Sequence, residues 1–408
     1  MTTCLRPTSV RPASPLAKRL LPLHVAAFLQ GIGLWVPVEK LFMTEIGFDA
    51  ASIGLMAAAY AAVVPILEVP SGILADRWSR RGVLVVAAVA LAASALLGGL
   101  SHDVPTYILS ALVLGVYFAM YSGTMDSVVY DTVLEETGNS AAYEREIGRN
   151  RLVNSIALVA SALAGGALAG FAGTRVTYLL TVPLVALSVV ALLRFREPRL
   201  HRAAEAGSLR AHIALTARAL AGRRRLLPTI TLSVLTALLL QVLLEFGPLW
   251  LVALAAPAVV YGPYWAGLVS SLGLGGVLAG RLDLDRPRTA VVVAALLTAA
   301  GCVLAIARSV VLVTAAQILL ALLVVAAGIH ASRLLHDAVP STVRSGVASG
   351  VSTLSWIAFL PIALVFGLVS QHDGVHTMGW PITALAAVAG GLLVGAALTR
   401  PARGADED

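Results

Sequence analysis

Apolar residues in this chain come in long, nearly unbroken runs, not at the spacing of an amphipathic surface helix. About twelve runs reach the roughly 20-residue length that an α-helix needs to cross a bilayer. They fall at 21–43, 52–74, 82–100, 105–128, 152–171, 176–193, 227–251, 258–280, 289–307, 309–331, 345–369 and 378–398. Short polar turns separate them, and one longer polar stretch, 194–226, opens on Arg194-Phe-Arg196-Glu197-Pro198. The pattern predicts an all-α transmembrane fold of about twelve helices in two pseudo-symmetric six-helix bundles. Its expected parts are an N-terminal tail at 1–20, a first half at 21–193, a linker at 194–226, a second half at 227–398 and a C-terminal tail at 399–408.

Composition agrees. The 408 residues are 58% hydrophobic and 12% charged, against roughly 25% charged in an ordinary soluble domain. Cys4 lies in the polar tail and Cys302 in an apolar run, so no disulfide framework is indicated. The first apolar run is too long for a signal-peptide core and reads as an uncleaved span. The net charge of +7 sits in loops, which makes it a topology signal and gives no reason to expect nucleic acid. One set of loops carries Arg77, Arg80, Arg81, Arg145, Arg149, Arg151, Arg281, Arg286, Arg288, Arg333 and Arg344. The other carries Arg175 and Arg308, with Lys40 at the end of the first span. The positive-inside rule then places both termini in the cytoplasm of a multi-pass plasma-membrane protein. Lipid is one expected partner, and the chain is expected to act as a monomer.

A weak internal repeat supports two halves. Leu29-Gln30 is followed by Pro37, and Leu240-Gln241 by Pro248 at the same spacing. Gly276-Val-Leu-Ala-Gly280-Arg281 echoes Gly72-Ile-Leu-Ala-Asp76-Arg77. Related halves enclosing a mid-membrane site are a common transporter plan.

The stretch Gly72-Ile-Leu-Ala-Asp76-Arg77-Trp78-Ser79-Arg80-Arg81-Gly82 joins the second and third runs. It resembles the signature loop of the major facilitator superfamily, with Ser79 where that pattern has a second glycine. The resemblance implies a gating role for Gly72, Asp76, Arg77, Arg80 and Arg81. Asp76 also precedes the third span, where a carboxylate can cap a helix. The fifth span holds Ser161-x-x-x-Gly165 and Gly166-x-x-x-Gly170, a spacing that predicts close helix packing. Drug/proton antiporters of the superfamily carry a glycine-rich signature there. This chain lacks its proline, and its fourth span lacks the arginine of many proton-coupled members.

Acids inside apolar spans are costly and usually serve ion or substrate handling. Glu245 leads as a proton carrier because it shares a helix face with Gln241; Glu68, Glu39 and Asp126 follow. Gln30, Tyr60, Gln241 and Trp356 are the candidate cavity residues. Trp35 and Trp250 suit an interfacial belt. No nucleophile–base set, P-loop or dinucleotide motif occurs, and His372-Asp373-x-x-His376 has metal-ligand residue types without Cys partners or a helix to hold them, so no catalytic residue, metal or cofactor is expected beyond the proton gradient as energy source. The resulting expectation is a secondary transporter exporting a lipophilic or amphiphilic small molecule by proton exchange. Uptake of a metabolite is the alternative, and a membrane-embedded enzyme or receptor a more distant one.

The orientation is testable. Cysteines introduced near Arg210 should resist an impermeant thiol reagent in intact cells, and cysteines near Ala255 should react; the reverse pattern would invert the topology.

Overall fold

The computed structural model describes residues 15–138, 142–198, 226–338 and 344–399. Most of the expected linker, 199–225, and much of both tails lie outside the described residues. Every long apolar run forms helix, and no strand occurs among the described residues. In chain order the helices are α1 (Pro15–Gly31), α2 (Glu39–Glu45), α3 (Ala50–Arg77), α4 (Arg80–Leu100), α5 (Val104–Thr137), α6 (Tyr143–Ala172) and α7 (Thr174–Arg194). They continue with α8 (Leu227–Phe246), α9 (Pro248–Ala253), α10 (Ala258–Arg281), α11 (Pro287–Ile306), α12 (Val310–Ala338), α13 (Arg344–Asp373) and α14 (Gly379–Leu398). Among the described residues, eleven stretches are long and apolar enough to cross a membrane. Helix α10 is of spanning length but is diluted by Tyr261, Tyr264, Trp265, Ser270, Ser271 and five glycines between Gly262 and Gly276.

Two spans expected to be continuous are interrupted. The first stops at Gly31 and resumes through a 3-10 turn at Val36–Val38 into α2. The seventh is interrupted at Gly247-Pro248, between α8 and α9. Glycine and proline explain both breaks, since proline withholds an N–H and glycine loosens the backbone. The breaks fall at equivalent places in the repeat, just before Pro37 and at Pro248. By contrast α3 runs straight through Pro65 and Pro70. Helix α5 has 34 residues, about 50 Å at 1.5 Å per residue, and so projects beyond a hydrocarbon core of about 30 Å.

Helices α1–α7 pack among themselves, as do α8–α14. The two sets meet chiefly along α3–α13 and α6–α10. Both crossings are made by glycine. A Cβ on Gly54 would lie 2.8 Å from the Cα of Gly367, and one on Gly262 would lie 2.7 Å from the backbone oxygen of Ala162. Gly166 faces Gly262 in the same way, and Gly165 lies against the backbone of Leu34. These glycines occupy the helix ends remote from the arginine-rich loops. At that opposite face Gln371 Oε1 also accepts the Ala50 N–H across the halves at 3.1 Å. One large apolar core joins both halves there. Toward the basic face each half has its own core: Leu20, Leu84, Val128 and Leu192 in the first, Ile230 and Leu335 in the second. The molecule is thus sealed at the opposite face, and its cores part toward the basic face.

The basic face is laced by ion pairs. Arg80 meets Asp131 of α5 at 2.6 Å, and Arg19 meets Glu135 at 2.8 Å and Glu136 at 2.5 Å. The cap of α4 differs from expectation. Asp76 lies within the last turn of α3, and Ser79 is the N-cap, its Oγ accepting the Gly82 N–H at 2.9 Å. Glu197, beyond α7, takes the Ser79 hydroxyl and the Arg80 N–H, both at 2.6 Å. A serine here supplies the capping oxygen that the pattern's glycine could not.

Lengthening Gly262 to Val should pry α6 from α10, because a backbone oxygen stands in the way. A reporter cysteine at Gln371 should then react with a thiol reagent several-fold faster than in the parent; unchanged labelling would show that this crossing does not seal the face.

Candidate functional site

The two interrupted spans place three charged side chains together. Glu39 opens α2, Lys40 follows it, and Glu245 sits one turn before the Gly247-Pro248 break. Lys40 is only 2% exposed. Its Nζ lies 3.2 Å from Glu39 Oε2 and donates a short hydrogen bond to Glu245 Oε1. The pair Lys40–Glu245 therefore crosses between the halves. The carboxylates are about one-fifth exposed while the ammonium between them is sealed. With all three ionised the cluster carries a net charge of −1, and one added proton makes it neutral.

Aromatic rings build the wall around it. Tyr107 donates to Glu39 Oε1 at 3.0 Å and bonds the Tyr178 hydroxyl at 2.7 Å. Trp35 stacks on Tyr178 at 5.2 Å, and Phe42 packs against the same ring at 4.8 Å. In the second half Phe246 stacks on Phe366 at 4.1 Å, and Trp250 donates to the Leu304 carbonyl at 2.9 Å. Trp35 and Trp250 are thus buried core residues, not members of an interfacial belt; the Trp250 N–H and the faces of both rings find partners inside. Gln317, fully buried, accepts from the Tyr264 hydroxyl at 2.5 Å and donates to the Gly247 carbonyl at 3.2 Å, which ties α12 to the break in the seventh span.

The expected site residues separate into groups. Glu245 and Glu39 come together through Lys40, which sequence reasoning had left as an end-of-span anchor. Tyr60 is half-buried within electrostatic reach of both carboxylates, and its ring meets Trp356 of the other half at 6.3 Å, edge-on. Phe118 lies on its other side at 6.0 Å. Gln241 is half-buried one turn before Glu245. Gln30, expected in the cavity, is instead packed inside the first half, where its amide donates to Ser188 of α7 at 3.2 Å. Asp126 is half-buried in the basic-face portion of α5, well away in sequence from the cluster-bearing segments. Gly72 and the side chains of Glu68, Asp76 and Arg77 lie outside what is described beyond the backbone, which belongs to α3. Of the residues expected to gate, Arg80 pairs with Asp131, and Arg81 donates to the Phe195 carbonyl at 3.3 Å. Near the basic face a cavity of about 360 Å³ in the second half is lined by α8 and α12, including Thr236, Leu240, Val324 and Gly328, with Val351 of α13.

Lys40→Met leaves two carboxylates facing each other without their counter-charge. Unfolding in detergent should show a loss of about 3–5 kcal/mol, the usual cost of removing one partner of a buried pair. Adding Glu245→Gln to that variant should recover much of the loss. A double variant no more stable than Lys40→Met would mean that the two residues do not interact.

Comparison with known proteins gives one picture. The family model described as Major Facilitator Superfamily matches residues 23–359. An uncharacterised MFS-type transporter of Mycobacterium tuberculosis strain CDC 1551 is 28% identical over 187 residues, 46% of this chain and 43% of the relative. The quinolone resistance protein NorA of Staphylococcus aureus is 24% identical over 116 residues, 28% of this chain and 30% of NorA. The matched regions thus span less than half the length of these curated relatives. Among solved structures, the nucleoside transporter NupG superposes with a TM-score of 0.73 at 17% identity, covering 93% of this chain and 97% of its own. A D-xylose–proton symporter gives 0.69 at 13% identity, covering 92% and 97%. Two helical halves, interrupted first and seventh spans and a family match over most of the length agree: the chain belongs to the Major Facilitator Superfamily of membrane transporters.

Proposed function

We propose that this transporter exports a lipophilic or amphiphilic small molecule in exchange for protons, with the basic face in the cytoplasm. The observation that carries the reading is the Lys40–Glu245 pair across the halves. The pair helps to hold the opposite face shut, and it is made only while Glu245 is ionised. A proton on the cluster competes with Lys40 for the carboxylates, and so does a cationic group on the cargo. Either ligand therefore loosens the clamp and shifts the balance between the two arrangements of the halves, as a ligand with different affinities for two states must. Because proton and cargo draw on one net negative charge, binding of one disfavours the other, which is the requirement for exchange. The aromatic pair Tyr60 and Trp356 lies where a flat apolar cargo would bridge the halves. The partial similarity to a quinolone resistance protein is consistent with efflux.

Produced in an efflux-deficient bacterium, the protein should lower the accumulation of some dyes or antibiotics, and a protonophore should abolish the effect. Glu245→Gln should leave cargo movement insensitive to the gradient. Uptake of a polar metabolite by reconstituted vesicles, with no export across a broad panel, would replace this reading by import; export that persists with the gradient collapsed would remove the coupling.

A further inference from the structure

Helix α1 is flanked by α6 and α7, and the seam between them is unusually polar for a membrane interior. On α6, Glu146, Asn150, Asn154 and Ser161 recur at helical spacing along one face. Asn154 donates to the Ala27 carbonyl at 3.2 Å and Ser161 to the Gly31 carbonyl at 3.4 Å, so this face meets α1. His24 of α1 lies against this face, and Gln30 of α1 turns to Ser188 of α7. On α7, the buried hydroxyls of Thr177, Thr181 and Ser188 continue toward Tyr178, whose partner Tyr107 holds Glu39. Thr181 Oγ1 accepts the Leu34 N–H at 3.2 Å, within the break of the first span.

Four buried side chains on this seam each leave a polar atom without a partner. They are His24 Nε2, Glu146 Oε2, Asn150 Oδ1 and Gln30 Oε1, on residues 7%, 4%, 3% and 7% exposed. Glu146 Oε1 is satisfied by Arg145 at 3.0 Å, so its second oxygen stands open by itself. A buried acceptor left unmade is costly, and such groups in proteins are normally met by internal water. At the basic face the seam ends at a cavity of about 530 Å³ lined by Ala17, Arg145, Glu146, Gly148, Arg149 and Leu152. His24 lies against the Glu146 backbone, within reach of its carboxylate and of Arg149.

We propose that the α1–α6–α7 seam is a water-filled proton path from the Glu39–Lys40–Glu245 cluster to the basic face, with His24 and Glu146 exchanging the proton at its mouth. The orphan atoms are three acceptors and one imidazole nitrogen, which is the set that a short chain of waters bridges. The proton leaves Glu39 toward the Tyr107 and Tyr178 hydroxyls. It passes the hydroxyls of α7 and the waters held by Gln30 and Asn150, and His24 hands it to Glu146 and the cavity. Each hop breaks one O–H or N–H bond and forms the next, so no co-reactant is needed. Among described side chains, the charges on elements packed against α1 are Glu146, Arg145 and Arg149 of α6, Arg175 and Arg194 of α7, and Asp126, Asp131, Glu135 and Glu136 of α5, with Lys18 on α1 itself. Arg19 of α1 is paired with Glu135 and Glu136. Helix α7 presents hydroxyls to the seam.

This path rests on the coupling reading above, and one experiment separates them. The purified full chain in nanodiscs is followed by time-resolved infrared spectroscopy after a pH drop, with the carboxyl band of the cluster assigned by its loss in Glu39→Gln or Glu245→Gln. His24→Gln and Glu146→Gln should keep that band's final amplitude but slow its appearance roughly tenfold or more, as loss of a positioned proton donor does. Unslowed kinetics in both variants would overturn the seam and leave the coupling reading standing. A band that neither cluster variant removes would overturn both. If the seam variants do not fold, radiolytic labelling of the unaltered chain decides: oxidation of buried His24 by adjacent water supports the path, and its silence shows a dry seam and ends it.

Discussion

A lysine ammonium sealed between two helical halves constrains everything around it. Lys40 cannot be buried without counter-charge, since an isolated ion in a low-dielectric interior costs many kcal/mol. Glu39 alone would neutralise it, but Glu245 is also present, and it belongs to the other half of the chain. Its bond to Lys40 is thus a charged tie between the halves at the opposite face. The interruptions of the first and seventh spans bring these groups into register, because a continuous helix would turn Glu39 and Lys40 away from α8. The aromatic packing of Trp35, Phe42, Tyr107 and Tyr178 then fixes the direction in which Lys40 can reach.

At the basic face the two halves solve one problem with opposite signs. In the first, Arg80 from the α3–α4 turn meets Asp131 on α5. In the second, Asp285 from the α10–α11 connection meets Arg333 on α12 at 2.6 Å, with His330 alongside. Helices α5 and α12 hold corresponding places in the two halves, so the pair is kept while its polarity is exchanged. The loss of the aspartate in the second copy of the loop pattern, visible as Gly280 for Asp76, is accompanied by this reversed arrangement five residues later.

The long apolar runs were legible in the sequence because a membrane span must satisfy its own backbone, and little besides a helix can do so. The glycines of the fifth span were legible as packing residues for a similar reason, and Gly166 does meet Gly262. What was not legible depended on partners distant in sequence. Lys40 read as an anchor because nothing local shows that residue 245 stands opposite it; an acid and a base side by side in an apolar run was the available signal. Trp35 and Trp250 read as interfacial because their positions near span ends suit lipid headgroups, whereas the breaks at Gly31 and Gly247 fold those ends inward. Gln30 matches Gln241 in the repeat, yet only Gln30 has a serine on a neighbouring helix to hold it. Ser79 looked like a blemish in the loop pattern until Glu197, more than a hundred residues on, was seen to complete its cap.

The glycine crossings have a consequence for speed. Where Gly54 meets Gly367 and Gly166 meets Gly262, the halves touch through bare backbone, with no side chains to interlock. Surfaces that interdigitate must unpick many rotamers before they slide, and each jammed rotamer adds roughness to the barrier. Two smooth backbone ridges have little to catch. At these two points the seal is smooth, and the contacts that resist sliding lie beside it, in the Lys40–Glu245 pair and the Tyr60–Trp356 rings.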